Sequence, residues 1–243
     1  MLSANEIKRL RSLGSKKGRD SSGLFIVEGE KMVSEALASG FEVVEVYRSS
    51  EIGEEAMGRI SCLSSPSPAL AVLKMKEAVP FRPGPGLFLI LDSIRDPGNL
   101  GTILRIADWF GVEDVVASPD TVELYNPKTV QATMGAIFRV RFHSEPLLPF
   151  LEELGKRGGK AYGTFLDGQN IYSTDLDTGQ DSPVGIIIGN ESRGISPEVG
   201  TLVSGRLLIP PFPGGRVTSE SLNAAVATAV TLSEFRRRIW QKG

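Results

Sequence analysis

The stretch Leu207–Arg238, LLIPPFPGGRVTSESLNAAVATAVTLSEFRRR, decides the fold because it joins three unlike elements in one continuous run. Its first residues, Leu207-Leu208-Ile209, predict the end of a short buried strand, which Pro210-Pro211 terminates. A Pro/Gly loop follows, and a helix is predicted from Ser221 to about Arg238. A strand, a loop and a helix in this order are typical of an α/β protein.

The predicted helix carries small residues on every side, in the run AAVATAV at 224–230. Such a helix must be tightly enclosed, because it has no polar face to present to solvent. Ser221 and Asn223 stand at its start, where backbone N–H groups have no intrahelical partner. Serine and asparagine often cap helices, so capping alone is one interpretation of these two residues, and contact with a ligand is the other.

The composition is that of an ordinary globular protein, with 243 residues, 41% of them hydrophobic, and a formal net charge of −2. The single cysteine, Cys62, excludes an internal disulfide, and with the single histidine, His143, it leaves no Cys/His metal cluster. No G-x-S-x-G motif accompanies His143, which argues against a Ser-His-Asp hydrolase. No signal peptide or membrane-spanning stretch is recognisable, so we expect a cytoplasmic protein that binds no metal and no membrane.

Two domains are predicted on either side of a Pro/Gly-rich segment, VPFRPGPG, at residues 79–86. Residues 1–80 alternate short strands and helices, which predicts a small α/β domain. Residues 81–86 are the predicted linker. Residues 87–243 contain fully apolar strands, LFLIL and VGIII, between helices, which predicts a parallel sheet covered on both faces.

Basic residues cluster near the N-terminus despite the negative net charge. The candidates for RNA binding are Lys8, Arg9, Arg11, Lys16, Lys17 and Arg19. Lysine and arginine contacts to phosphate supply much of the affinity of proteins for nucleic acids. The alternative interpretation is an ordinary solvated face. A second basic run, Arg236–Arg238, is the next candidate.

Three polar loops follow predicted strands, at the edge where ligands collect in open α/β sheets. They are Asp92–Arg105 after LFLIL, Gly189–Ser196 after VGIII, and the loop that begins at Ile209. Asn99 in the first loop is a candidate helix cap. Neither G-x-G-x-x-G nor G-x-x-x-x-G-K-[ST] occurs, so a dinucleotide or ATP site is not supported. Each loop alone could be an ordinary capped turn, but together they predict one cleft.

These loops carry motifs that resemble the TrmH-type (SpoU) branch of the SPOUT RNA methyltransferases. The matching motifs occur in order: N-x-G-x-x-x-R at 99–105, G-N-E at 189–191 with Gly194 following, and I-P with S-L-N at 209–210 and 221–223. The N-terminal stretch is similar to the small ribosomal-protein-like RNA-binding domain that many members carry. One departure is the long third loop, which has Pro211-Phe212 where many members have a methionine.

The resemblance implies a knotted (trefoil) parallel-sheet methyltransferase domain, an S-adenosylmethionine site formed by the loops of the knot, and a homodimer. It assigns the contacts with the methyl donor to Gly189, Ile209 and Leu222. It assigns the reaction centre to the polar side chains Asn99, Arg105, Glu191, Ser221 and Asn223. The reaction it implies is transfer of a methyl group from S-adenosylmethionine to a ribose 2′-hydroxyl of structured RNA, with ribosomal RNA favoured over tRNA.

Two further functions fit the same residues. One is a non-catalytic RNA-binding protein that keeps the fold, although the intact set of Asn99, Arg105 and Asn223 argues against it. The other is a base-directed methyltransferase of the wider superfamily, which would use the same donor site and a different proton acceptor.

For ribose methylation, Arg105 is expected to stabilise the developing alkoxide or to hold the adjacent phosphate. Free arginine titrates above about 12, which makes it a poor general base. Glu191 is expected to orient Arg105 or the amides of its loop. The alternative for Arg105 is a surface ion pair with Asp108, three residues further along the helix.

Overall fold

The computed structural model describes residues 2–77, 79–214 and 220–242. Its strands are β1 (Leu24–Glu28), β2 (Val43–Arg48), β3 (Ala69–Lys74), β4 (Gly86–Leu91), β5 (Asp114–Ala117), β6 (Arg141–Ser144), β7 (Lys160–Asn170), β8 (Pro183–Ile188) and β9 (Gly205–Leu208). Its helices are α1 (Ala4–Ser12), α2 (Lys16–Ser22), α3 (Glu30–Ala38), α4 (Ser49–Ile52), α5 (Glu54–Ile60), α6 (Pro97–Trp109), α7 (Pro127–Thr133), α8 (Leu147–Lys156), α9 (Pro197–Gly200) and α10 (Ala224–Lys242), with a 3-10 helix at Ala136–Phe138.

The chain divides into two compact units, whose membership differs from the predicted domains at one segment. The first unit contains Met1–Glu77 together with Glu123–Arg139, and the second contains Ala78–Val122 together with Val140–Gly243. Residues 123–139 lie between β5 and β6 in the chain, inside the predicted C-terminal domain, yet they pack with the N-terminal one. The reason is an apolar sheet face in the first unit that they cover.

The sheet of the first unit is antiparallel, with the strand order β1-β3-β2. Side chains alternate between the faces of a strand, so Phe25 points to one side of β1 and Ile26 to the other. Ile26 is buried in a cluster with Leu10 of α1 and Met57 of α5. Helices close to their strands in sequence therefore cover this face, in agreement with the predicted small α/β unit.

Residues 123–139 help to cover the opposite face, which carries Phe25. Val130 and Ile137 belong to the same buried cluster as Phe25. The ring of Tyr125 lies 4.6 Å from the ring of Phe25, measured between centroids. A segment that is remote in sequence therefore completes the core of the first unit.

Two predicted helices are interrupted. The sequence pattern of residues 126–137 predicts one helix, but α7 ends at Thr133, because Met134 and Gly135 adopt positive φ values of 49° and 95°, which no right-handed helix accommodates. The pattern of residues 51–60 likewise predicts one helix, which in the structure is divided at Gly53, whose φ is 86°. Both breaks coincide with a glycine, the residue that adopts this conformation most easily.

The second unit is built on a parallel sheet, as predicted. Within the described residues it contains six strands in the order β6-β5-β4-β8-β7-β9, and each neighbouring pair is parallel. The central strands β4 and β8 are buried along almost their whole length. Phe150 of α8 and Val199 of α9 lie in the core cluster of this sheet, and α10 packs against α6. The trefoil knot stays a prediction.

The strand order places a topological switch point between β4 and β8. On one side of β4 the chain continues outward through β5 to β6, whereas β8, the other neighbour, comes much later in the chain. Ligands of open parallel sheets bind in the crevice outside the carboxyl ends of the strands at such a point. The turn after β4 and the loop after β8 therefore border the expected cleft.

Helix α10 begins at Ala224, later than predicted, because Asn223 caps it. The side-chain oxygen of Asn223 accepts hydrogen bonds from the N–H groups of Ala225 at 2.9 Å and Val226 at 3.3 Å. Ala224 and Ala225 are buried, whereas Val226 is 48% exposed. Within one chain the predicted enclosure of this helix is therefore achieved on one side only.

Val130→Ala should destabilise the first unit specifically, because the substitution leaves a cavity beside Phe25. We expect a loss of about 2 kcal/mol in unfolding free energy, and faster amide hydrogen exchange in β1 and β3. Lys128→Ala, an exposed substitution on the same helix, is the matched control and should be nearly silent. Unchanged protection of β1 in Val130→Ala would contradict the role given to residues 123–139.

Candidate active site

Three segments of the second unit lie at the carboxyl edge of its sheet. They are the Asp92 turn (residues 92–96) after β4, the Gly189 loop (residues 189–196) after β8, and the Ile209 loop (described at residues 209–214 and 220–223) between β9 and α10. Parallel strands have their carboxyl ends at one edge. The three loops singled out in the sequence therefore share that edge.

Helix α6 begins directly after the Asp92 turn, and its cap differs from the prediction. Asp96, and not Asn99, is the N-cap residue, and its carboxylate accepts a hydrogen bond from the Asn99 N–H at 2.7 Å. Pro97 follows in the first turn, where a backbone N–H is not needed. Because Asn99 lies inside the helix, its side-chain amide is available for other partners.

A chain of three polar side chains connects the first turn of α6, the Gly189 loop and the Ile209 loop. Asn223 Nδ2 donates to Asn99 Oδ1 at 2.9 Å, and Asn99 Nδ2 donates to Glu191 Oε1 at 2.9 Å. We call these residues the Asn–Asn–Glu chain. An ionised Glu191 only accepts hydrogen bonds, so it fixes the orientation of both amides. Side chains from three separate sequence motifs are thus in direct contact.

The carboxylate of Glu191 also faces the start of α6. Its oxygens lie 3.4 Å from the backbone nitrogens of Arg95 and Asp96. A helix carries partial positive charge at its N-terminal end, which attracts the negative charge of a carboxylate at this position. Glu191 therefore holds the amides of the Asp92 turn. Among the described residues, Glu191 accepts hydrogen bonds from Arg95, Asp96 and Asn99, and the predicted contact with Arg105 is not among them.

A second carboxylate, Asp120, holds the Asp92 turn from another side. It accepts hydrogen bonds from Ser93 Oγ at 2.7 Å and from Arg95 Nη2 at 2.6 Å. Hydrogen bonds from Ser118 and Ser93, together with the charge of Arg95, keep the pKa of Asp120 below its ordinary value. Ser93 has a positive φ of 60°, a conformation that these contacts stabilise.

Gly189 is required by the backbone of its own loop. A Cβ atom at this position would lie 2.2 Å from the carbonyl carbon of Gly194 and 2.2 Å from the nitrogen of Ile195. Asn190 and Gly194 pair through two backbone hydrogen bonds of 2.9 Å, which keeps the loop closed. Close approach of a ligand, the reason suggested by the sequence, is therefore not needed to explain this glycine.

Arg105 and Ser221 do not join the Asn–Asn–Glu chain. Arg105 is six residues beyond Asn99 on α6, which is about 9 Å along the helix axis and on a different face. Its side chain is exposed. Ser221 is also exposed, in the Ile209 loop. Both remain predicted reaction-centre residues.

The carboxyl edge offers apolar side chains that suit an adenosyl group. Ile209 is half-buried, and Leu222, next to Asn223, is 48% exposed. Leu166 is 69% exposed and lies in a four-residue excursion of β7, between its pairings with β9 at Thr164 and Gln169. The adenine ring of an adenosyl group is flat, with apolar faces and a polar edge, so exposed apolar side chains beside backbone amides suit it. The residues present therefore fit S-adenosylmethionine.

The basic residues of the first unit fall into two groups. Lys8, Arg11, Lys16 and Lys17 are exposed, although Lys16 also lies near Asp20 and Glu123. Arg9 is paired with Glu45 at 2.5 Å, and this hydrogen bond raises the pKa of its guanidinium.

Arg19 corrects the sequence prediction. Its side chain is 1% exposed, and it donates to the Leu13 carbonyl at 2.9 Å and to Glu123 at 2.6 Å. The predicted contact of Arg19 with RNA is therefore wrong, because the guanidinium is buried in an internal ion pair. The basic run near the end of the chain is similarly occupied. Arg236 binds the carbonyls of Phe110 and Gly111, and Arg237 and Arg238 both pair with Glu234.

The described residues offer neither a cluster of metal ligands nor a membrane-spanning helix. Across the described residues, His, Cys, Asp and Glu side chains form no group of three or more that could hold a metal ion. No helix in the described part of the chain is long and apolar enough to cross a membrane.

Two family models match this chain. The SpoU rRNA methylase family matches residues 86–233, and the MRM3-like substrate binding domain matches residues 4–79. The first match alone covers more than half of the 243 residues. The chain belongs to the SpoU rRNA methylase family. The resemblance inferred from the three motifs is thereby confirmed.

Known SpoU-type proteins match nearly the whole chain. RlmP of Bacillus subtilis (strain 168), a 23S rRNA guanosine 2′-O-methyltransferase, is 29% identical over 246 residues, 95% of this chain and 96% of that protein. The structure of a TrmH-family RNA methyltransferase from Porphyromonas gingivalis matches with a TM-score of 0.89 and 38% identity, over 98% of this chain and 99% of that one. An AdoMet-bound rRNA methyltransferase from Sinorhizobium meliloti matches with a TM-score of 0.86 and 27% identity, over 98% and 97%.

Sequence reasoning missed two residues of this SpoU site, Asp92 and Ser196. Asp92 is buried directly after β4 and accepts hydrogen bonds from Ser196, the last residue of the Gly189 loop. A signal was present, because an aspartate that directly follows an apolar strand stands at the carboxyl edge of the sheet. Its partner, however, lies more than a hundred residues away.

Asn223 caps α10 and donates a hydrogen bond to Asn99, and Asn223→Asp should separate these two roles. The carboxylate keeps an acceptor for the α10 amides, so the melting temperature should stay within a few degrees of the wild-type value. It cannot donate to Asn99, and it adds a negative charge near Glu191, so we expect methyl transfer to fall at least tenfold. Asn223→Ala, which also loses the cap, should melt lower as well. Wild-type turnover in Asn223→Asp would show that the Asn–Asn–Glu chain is not needed.

Proposed function

We propose that this chain transfers the methyl group of S-adenosylmethionine to a ribose 2′-hydroxyl of structured RNA, with ribosomal RNA as the favoured substrate. The Asn–Asn–Glu chain carries the proposal. It brings Asn99, Glu191 and Asn223 together at the switch point of a parallel sheet. Membership of the SpoU rRNA methylase family supports the same chemistry.

The donor site is assigned to the Gly189 and Ile209 loops. Gly189 keeps its loop closed, and Ile209 and Leu222 supply apolar surface for the adenosyl group. The AdoMet-bound structure from Sinorhizobium meliloti, which matches over nearly the whole chain, supports S-adenosylmethionine as the donor. When bound, S-adenosylmethionine supplies a methyl group on a positively charged sulfur, which is already strongly electrophilic.

The remaining task of the protein is to align the ribose hydroxyl and to help remove its proton. Alignment alone can remove several kcal/mol from the barrier, roughly 7 or more in the best cases. Asn99, Glu191 and Asn223 hold the loops in one arrangement, and Ser221 lies exposed beside them. Arg105, whose side chain is exposed, stabilises the developing alkoxide or holds the neighbouring phosphate.

Ribosomal RNA is favoured because the full-length relatives point to it. RlmP, which acts on 23S rRNA, aligns with 95% of this chain, and the N-terminal residues match a substrate binding domain. A tRNA substrate is the alternative. A non-catalytic RNA-binding role is disfavoured by the complete Asn–Asn–Glu chain. We place the protein in the cytoplasm, where bacterial ribosomal RNA is made.

A homodimer is the proposed assembly. Helices α6 and α10 pack together and expose large apolar side chains: Trp109 is 85% exposed, Trp240 80%, and Val226 lies on the small-residue run of α10. Exposed apolar residues grouped on packed helices are typical of an association surface. A second copy would provide the enclosure that the small residues of α10 require.

Incubation of the wild-type protein with S-adenosylmethionine and ribosomal RNA should yield a 2′-O-methylnucleoside on digestion. Arg105→Ala should lower the single-turnover rate by two orders of magnitude, as roughly 3–4 kcal/mol of lost charge stabilisation would do. Its melting temperature should not change. Arg157→Ala, another exposed arginine of the same unit, is the control. A methylated base as product would overturn ribose methylation, and the absence of any product would favour the non-catalytic alternative.

Lys17→Ala and Arg19→Ala should have opposite signatures, although both remove a cation from α2. Lys17 is exposed, so its loss should weaken RNA binding and lower the salt dependence of the affinity by about 0.7 to 0.9 in log–log slope if it contacts one phosphate. Arg19 is buried beside Glu123, so its loss should lower the melting temperature without changing that slope in the folded fraction. Filter binding across a salt series and a thermal melt separate them. An unchanged slope in Lys17→Ala would exclude Lys17 from the RNA surface.

A further inference from the structure

Asp92 is a buried carboxylate at the cleft to which the proposed reaction gives no role. Its side chain is 4% exposed, directly after the last residue of β4. One oxygen, Oδ2, accepts two hydrogen bonds from Ser196, from the backbone N–H and from the hydroxyl, each at 2.7 Å. The other oxygen, Oδ1, lies 3.3 Å from Ser93 Oγ. Oδ2 is therefore the oxygen that holds the loop, because the single hydroxyl proton of Ser93 is donated to Asp120 at 2.7 Å.

Only neutral donors hold this carboxylate among the described residues, where Asp92 forms no ion pair. Burying a carboxylate removes favourable hydration, and without a nearby cation only hydrogen bonds offset that loss. Hydrogen bonds to an ionised acceptor are short and about twice as strong as neutral ones. The 2.7 Å contacts to Ser196 are of this kind. The pair is therefore a strong local restraint on Ser196.

Ser196 commits both of its hydrogen-bond donors to Asp92. It is the N-cap residue of α9, where a serine side chain normally accepts a hydrogen bond from the first turn. In this protein the side chain makes no such capping bond and donates to Asp92 instead. The contact therefore determines where the Gly189 loop ends.

The beginning of the Gly189 loop is held from the same turn. Asn190 Nδ2 donates to the backbone carbonyl of Ser93 at 2.7 Å. Asn190 also pairs with Gly194 through the backbone. Consecutive residues after β4, Asp92 and Ser93, thus hold the two ends of the loop that follows β8.

We propose that Asp92 is a positioning residue for donor binding. It acts through Ser196 and fixes the backbone of the Gly189 loop, without touching the donor itself. The inference rests on the proposed function in one respect, the assignment of this loop to S-adenosylmethionine. Loss of the restraint lets the loop sample other conformations, so donor affinity falls, whereas the reaction centre of a loaded enzyme is little changed.

The test compares Asp92→Ala, Asp92→Asn and Ser196→Ala by calorimetry with S-adenosylhomocysteine and by single-turnover methyl transfer. Asp92→Ala should raise the Kd at least tenfold, with less than a threefold loss of rate at saturating donor. Asp92→Asn keeps an oxygen that can accept from Ser196 and should recover much of the affinity. Ser196→Ala keeps the backbone N–H contact and should lie between the two.

The chain offers a matched control at the opposite end of β8. Asp177 accepts hydrogen bonds from Ser182 Oγ at 2.9 Å and from the Gly179 N–H at 3.0 Å, just before the strand begins. Asp177→Ala removes hydrogen bonds of the same kind far from the carboxyl edge, together with an ion pair to Lys160 at 3.2 Å. It should lower the melting temperature as Asp92→Ala does, and it should leave the Kd within twofold of the wild-type value.

Each outcome decides one question. If the wild-type protein does not bind S-adenosylhomocysteine, the proposed function fails before Asp92 is tested. If the wild-type protein binds and Asp92→Ala keeps the wild-type Kd, the positioning role is overturned. If Asp92→Ala and Asp177→Ala lose affinity equally, the role is also overturned, because general destabilisation then explains both losses. Should Asp92→Ala not fold, the order of affinities in Asp92→Asn and Ser196→Ala decides, and equal wild-type affinity in both refutes the inference.

Discussion

The hydrogen bond from Asn99 to Glu191 is the contact on which the cleft depends. It joins the start of α6 to the loop after β8, two segments that no local interaction could hold together. Its acceptor is charged, and the positive end of α6 stabilises that charge through the nearby amides of the Asp92 turn. Asn223 extends the same chain to the start of α10. Glu191, which has no basic side chain among its described contacts, therefore connects all three segments, while the hydrogen bonds from Ser196 to Asp92 separately connect the Gly189 loop to the Asp92 turn.

The register of the parallel sheet makes this contact possible. β4 and β8 are neighbours, and Leu91 lies opposite Ile188 at their carboxyl ends. The chain leaves both strands at the same level, so Asp92 and Gly189 begin their turns side by side. Side chains only a few residues further on can then reach one another. The switch point thus supplies the crevice and also the short distances that small polar side chains need.

Sequence patterns predicted the features that depend on neighbouring residues. Apolar runs marked the strands, and the three motifs named the loops at their ends. The prediction was wrong where a partner lay far away in the chain. Arg19 looked like a surface cation and is buried against Glu123, and Asn99 looked like a helix cap although Asp96 fills that role. Residues 123–139 followed the pattern of the second unit, but the apolar face they cover belongs to the first.

The residue pattern of α10 predicts an enclosure that a single chain supplies only in part. Small residues on every side predict enclosure, yet the helix is closed on one side only, and Val226 remains 48% exposed. A helix side that always faces water has no packing that requires small apolar residues, so polar residues could replace them without penalty. The run AAVATAV nevertheless has small, mostly apolar residues at all seven positions. Because Asn223 caps α10 and is also a member of the Asn–Asn–Glu chain, a second copy seated on this helix, as in the proposed dimer, would also restrain the cleft. Association and donor binding are therefore expected to be coupled through the same helix start.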